Sequence, residues 1–145
     1  MPDDYLAALS YEARERYWSR VVESGGPEFV YIAEDESGQI VGFASGRPEG
    51  TGNRTYRGEL RAIYILEQHQ RKGIGRRLTL AVAERLAQVG IHSMLVWVLP
   101  DNPACRFYEA LGAREVGRKQ IEIGGTSLEE IAYGWMDSAV ARASN

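Results

Sequence analysis

An α/β fold, with helices on the faces of a sheet of mixed strand direction, follows from three observations on this 145-residue chain. Apolar residues switch between helical and strand spacing in the order helix, β, β, β, α, β, α, β, β. A glycine-rich basic segment joins an apolar strand, Gly58 to Leu66, to an apolar-periodic helix, Ile74 to Val89. Two clusters of turn residues, Glu34 to Gln39 and Gly124-Gly125-Thr126, each separate a pair of strand-like runs. The length is that of one domain, residues 1–145, and 44% hydrophobic content is enough to fill a single core.

Asp3 and Asp4, or later Ser10, can cap helical turns. Leu6, Leu9, Ala13, Trp18, Val21 and Val22 form an interrupted apolar stripe ending at Ser24-Gly25-Gly26-Pro27, so one or two short helices open the chain. Phe29 to Ala33 and Ile40 to Ser45 then read as a hairpin around Gly38. Arg47 to Tyr56, with Pro48, Gly50 and Gly52, reads as a flexible loop. Ile74, Leu78, Ala81, Val82, Leu86 and Val89 keep helical spacing up to Gly90, a C-terminal cap. Ser93 to Leu99 is a strand, Ala104, Phe107, Tyr108 and Leu111 mark a short helix before Gly112, and Glu115 to Ile123 pairs with Ser127 to Met136 as a second hairpin.

Composition removes several classes of function. A net charge of −3 disfavours a broad nucleic-acid footprint. A single cysteine excludes an internal disulfide framework, and two histidines with that cysteine lack the spacing of a zinc site, so no metal is expected. Cys105, with no histidine nearby in sequence, reads as a packed helix residue rather than a nucleophile. The N-terminus has no basic-then-apolar signal pattern, and no apolar run approaches spanning length, so a soluble cytoplasmic protein is expected.

The segment Gln70-Arg71-Lys72-Gly73-Ile74-Gly75-Arg76-Arg77 is suited to a pyrophosphate. Glycines let backbone approach a ligand closely, the first helical N–H groups have no intrahelical partner, and the helix dipole adds positive charge there. A tight strand-to-helix turn with a solvated basic face would leave the same glycines. Two other phosphate loops do not fit: the dinucleotide fingerprint needs glycine where Leu78 stands, and the P-loop needs a terminal Gly-Lys-Ser/Thr.

The Gln-x-x-Gly-x-Gly run, after a strand reading Gly58-Glu59-Leu60-Arg61-Ala62-Ile63-Tyr64-Ile65, resembles the acetyl-CoA signature of the GCN5-related N-acetyltransferases, the GNAT family. Asn102-Pro103-Ala104-Cys105-Arg106-Phe107-Tyr108-Glu109-Ala110-Leu111-Gly112-Ala113 is similar to that family's Asn-x-x-Ala-x-x-Phe-Tyr-x-x-x-Gly-Phe segment, with Ala113 in place of the final aromatic. The resemblance covers Phe29 to about Trp135. It implies a mixed, mostly antiparallel twisted sheet with helices on both faces. Members usually begin with a strand, and no residues are legible for it here. Phe29 to Ala33 would then be an open sheet edge, from which a homodimer is expected.

The same resemblance implies acetyl-CoA as cosubstrate and residue roles. Glu59, eleven residues before Gln70, stands where histone-acetylating members carry a carboxylate general base; the plain alternative is a solvent-facing strand glutamate. Tyr108 matches the usual proton donor to the CoA thiolate, or else packs on the sheet as Phe107 does. Backbone groups across Ile63, Tyr64 and Ile65 would pair with pantetheine amides. Gln70, Arg71, Lys72, Gly73, Ile74, Gly75 and Arg76 would hold the phosphates. Asn102 would contact the cofactor or cap the helix before Pro103. The implied activity is acetyl transfer to a primary amine, with a small molecule leading; a protein lysine or N-terminus, or a CoA-binding sensor without turnover, are the alternatives.

Overall fold

The structure is a computed structural model that describes residues 18–23 and 27–138. Its elements are β1 (Trp18–Glu23), β2 (Phe29–Glu34), β3 (Ile40–Pro48), β4 (Gly58–Ile65), a 3₁₀ turn (Glu67–His69), α1 (Ile74–Gln88), β5 (Met94–Val98), α2 (Ala104–Ala110), β6 (Arg114–Ile123) and β7 (Thr126–Trp135). One seven-stranded sheet holds them in the order β1-β2-β3-β4-β5-β7-β6. Every pairing is antiparallel except β4 with β5, which α1 joins as a parallel crossover.

The first strand corrects the expectation that it is missing. Trp18 to Glu23 pairs with β2, from Trp18 opposite Glu34 to Glu23 opposite Phe29. Aromatic and β-branched residues such as Trp18, Val21 and Val22 suit a strand as well as a helical stripe, and the ladder decides. Phe29 to Ala33 is therefore an interior strand, and the edge argument for a homodimer falls. The helical stripe expected to run through Val22 is thus strand over Trp18–Glu23, and its part before residue 18 lies outside the described residues. At the opposite edge, β6 exposes Arg118 and Lys119, charges that oppose edge-to-edge pairing.

Both described helices pack on one face of the sheet. Ile74, Leu78, Val82 and Leu86 recur at helical spacing along α1 and are almost fully buried against Phe29, Tyr31, Ala44 and Leu60. Each such side chain contributes roughly 1.5–3 kcal/mol on burial. A Cβ at Gly58 would stand 2.7 Å from Leu86 Cδ1, so the start of β4 lies directly under α1. Trp135, opposite Met94, donates its indole N–H to the Leu111 carbonyl at 2.9 Å, which draws the end of α2 onto the same face. No described helix is long and apolar enough to cross a membrane.

Candidate functional site

Two irregularities in β4 shape the site. The ladder with β3 shifts between Ser45 opposite Ala62 and Gly46 opposite Leu60, leaving Arg61 as an extra, bulged residue. With β5, only Gly58 and Glu59 pair, opposite Met94 and Leu95. From Leu60 onward β4 and β5 diverge, and among the described residues the β5-facing edge of β4 carries no strand partner. A fork results, closed at the Glu59 row and open toward the glycine-rich loop. A chain of amides could pair with this edge as an added strand over roughly 20 Å from Ile65 to Glu59.

The bulge reverses the alternation of side chains. Gly58 and Leu60 face α1 before it, and Ile63 and Ile65 pack against the α1 core after it. Simple alternation would have put Ile63 and Ile65 on the face of Glu59; the bulge puts them on the other. Glu59 shares its face with Tyr64, which is exposed and lies beside its cross-strand partner Phe43 at a ring separation of 6.2 Å.

The loop after β4 is tightly turned. The Gln70 carboxamide donates to the Ile65 carbonyl at 3.0 Å, folding the chain back on the end of the strand. Arg71 has φ 64, a left-handed conformation strained for a side-chain-bearing residue, and Gly73 has φ 83 as the residue before α1. The first bond within α1 runs from the Arg77 N–H to the Gly73 carbonyl at 3.1 Å, so the amides of the first turn point out of the helix end. Arg71, Lys72 and Gly73 are exposed; Ile74 and Gly75 are buried, and Arg76 and Arg77 half-buried. A Cβ on Gly75 would lie 3.0 Å from Ile65 Cδ1 and 3.3 Å from Phe107 Cζ, so this glycine serves the packing of loop, β4 and α2.

Glu59 is nearly buried and ion-paired: Arg47 Nε lies 3.3 Å from Glu59 Oε1, and the two residues are cross-strand partners. Arg47 was expected in a flexible loop, because only the ladder shows that β3 continues to Pro48. That loop is ordered by the Glu49 carboxylate, which accepts from the Thr51 and Asn53 amides at 2.9 and 3.1 Å and from the Thr51 hydroxyl; against the burial that raises it, these bonds hold Glu49 below its usual range.

Tyr108 is 3% exposed, on the opposite face. Its ring lies 5.4 Å from Phe107, 6.4 Å from Tyr133 and 6.1 Å from Trp135. Burial first, and Cys105 second, push its pKa up to about 12. Trp135 and Tyr133 pair with Met94 and Val96 of β5, the residues either side of Leu95, which pairs with Glu59. Glu59 and Tyr108 thus reach the closed end of the fork at the same level from opposite faces. Asn102 accepts the Ala104 N–H at 2.8 Å, so its side-chain oxygen is engaged in starting α2. Cys105 is buried, its thiol 3.6 Å from the Leu99 carbonyl.

Comparison with known proteins agrees with this architecture. The sequence model of the Acetyltransferase (GNAT) family matches residues 2–113. The chain is 42% identical over 137 residues, 94% of its length and 77% of the relative's, to the uncharacterized N-acetyltransferase YuaI of Bacillus subtilis (strain 168). It is 32% identical over 83 residues, 56% of its length and 27% of the relative's, to a mycothiol acetyltransferase of Kocuria rhizophila. Among solved structures, a GNAT family acetyltransferase from Elizabethkingia anophelis with acetyl-CoA bound superposes with a TM-score of 0.65 at 14% identity, over 83% of this chain and 98% of that one.

Proposed function

The chain belongs to the acetyltransferase (GNAT) family and is an acetyl-CoA-dependent acetyltransferase; on that premise we propose that it passes the acetyl group directly to a primary amine of a small molecule, using Glu59 and Tyr108. The observation that supports this reading is the fork, whose closed end has one candidate proton acceptor on one face and one hydroxyl donor on the other. Pyrophosphate would lie on the amides of Gln70 to Arg76, with Arg71 and Lys72 adding charge. Pantetheine would run along Ile65, Tyr64 and Ile63 as an added strand, which carries the thioester toward Glu59.

In this mechanism the amine nitrogen attacks the thioester carbon from the Glu59 face. A C–N bond forms, the C–S bond breaks, Glu59 takes the proton that the amine must lose, directly or through water, and CoA departs as the thiolate, which equilibrates with solvent protons after release. Tyr108 meets the sulfur. A phenol at about 12 stays protonated at any working pH. Because burial raises the phenol further above an ordinary thiol, full proton transfer to a thiolate is unfavourable. Its role is therefore a hydrogen bond that strengthens as charge develops on sulfur. The homodimer expected from an open Phe29 to Ala33 edge forms no part of the proposal, since β1 covers that edge.

Release of CoA thiol from acetyl-CoA, measured across a panel of primary amines, tests this directly. A saturable rate with a small amine supports it. A melting shift with CoA and no thiol release for any small amine would count against it, and would favour a protein acceptor or a CoA sensor.

A further inference from the structure

We propose that Arg47 selects the acceptor, by receiving the carboxylate of an amino-acid-like substrate whose amine faces Glu59. The proposal rests on Glu59 as the acceptor-facing base. Arg47 and Glu59 are direct partners across β3 and β4, on the face away from α1, at the closed end of the fork. Their contact is single and end-on, Nε to Oε1 at 3.3 Å. A guanidinium has five N–H donors, and an arginine that only neutralises a carboxylate tends to meet it with two parallel bonds. Among the described residues the Nη groups make no hydrogen bond or ion pair, and the Arg47 side chain is 35% exposed against 15% for Glu59. A planar donor fork is thus held at the mouth of the site by a carboxylate that uses only its inner edge.

An α-amino acid fits that pair. Its amine and carboxylate are two bonds apart, so a nitrogen at Glu59 sets the carboxylate oxygens roughly 3 Å away, within reach of Nη. Charge supports the same choice. When Glu59 accepts the proton it ceases to balance Arg47, and the substrate carboxylate then supplies the lost negative charge. A simple alkylamine leaves the partly exposed Arg47 without its counter-charge, and a polyamine adds a further cation beside it. The acceptor class is therefore a primary amine with a carboxylate on the adjacent carbon.

The test uses the full chain and α-amino acids paired with their amides and decarboxylated amines, with rates extrapolated to the free-amine form. The carboxylate member of a pair should show a kcat/KM about 10²-fold higher. Arg47→Gln should collapse that ratio, chiefly through the KM of the amino acid, and Arg47→Lys should restore part of it. Equal or better use of the amides, or an Arg47→Gln loss that is the same for all three acceptors, overturns the proposal and leaves Arg47 as a counter-ion of Glu59. Calorimetry on the CoA-loaded protein makes the same comparison without turnover. Tighter binding of amino acid than of amide, lost in Arg47→Gln, supports the carboxylate site even if the transfer reading fails, and equal binding removes it.

Discussion

The hydroxyl of Tyr133 donates a 2.8 Å hydrogen bond to Oε2 of Glu109, tying β7 to the residue that follows Tyr108 on α2. Two residues on, the Trp135 indole bonds the Leu111 carbonyl. The C-terminal end of the short helix, just after the candidate hydroxyl, is thus fastened by alternate residues of one strand. Tyr133→Phe should lower stability by about 1 kcal/mol, read as a drop in urea midpoint at constant slope. Because it loosens Tyr108, it should also slow turnover several-fold with little change in acetyl-CoA affinity.

Tyr108→Phe should cut turnover by about 10²-fold and leave acetyl-CoA binding near parental, since the interaction it removes is made as the sulfur gains charge. Parental turnover would remove Tyr108 from the mechanism.

The same phenol makes stability fall in alkali. Its pKa is raised from 10.0 to about 12 on folding, so its contribution is complete below pH 10 and is lost as pH rises toward 12. Tyr133 acts in the same direction, raised to about 12 mainly by its bond to Glu109 and then by burial. Melting temperature measured from pH 9 to 12 should decline over that window, and more gently in Tyr108→Phe. An unchanged slope would show that the hydroxyl is not desolvated.

Glu59→Gln should be slowest at low pH, where the acceptor amine is protonated, and should recover as pH approaches the amine's own pKa. A pH-independent loss would instead assign Glu59 to the structural pairing with Arg47.

Gly75→Val puts branched carbon into a space bounded at 3.0 Å by Ile65 and 3.3 Å by Phe107. It should weaken CoA binding by at least about 10-fold by pushing the loop off β4 and α2. Gly73→Ala probes the backbone alone: at φ 83 a side chain costs on the order of 1 kcal/mol, measurable by denaturation. Parental CoA affinity in Gly75→Val would separate the loop from the phosphate site.

Local chemistry in the sequence was sufficient for much of this protein. The apolar spacing of Ile74 to Leu86 defines α1, Gly38 and Gly124-Gly125 mark the hairpin turns, and the basic glycine loop together with Asn102 and the Phe107-Tyr108 pair points to the family, because each of these signals is carried by residues close in the chain. Only the tertiary structure decided what depends on pairing between distant residues. Val21 and Val22 suit helix or strand until β2 supplies a ladder. Arg47 reads as loop until β3 is seen to reach Glu59. The bulge at Arg61 has no local signature, yet it sets which face Glu59, Ile63 and Ile65 occupy, since one inserted residue reverses every side chain beyond it. The fork between β4 and β5 is likewise a property of register, which no single strand contains.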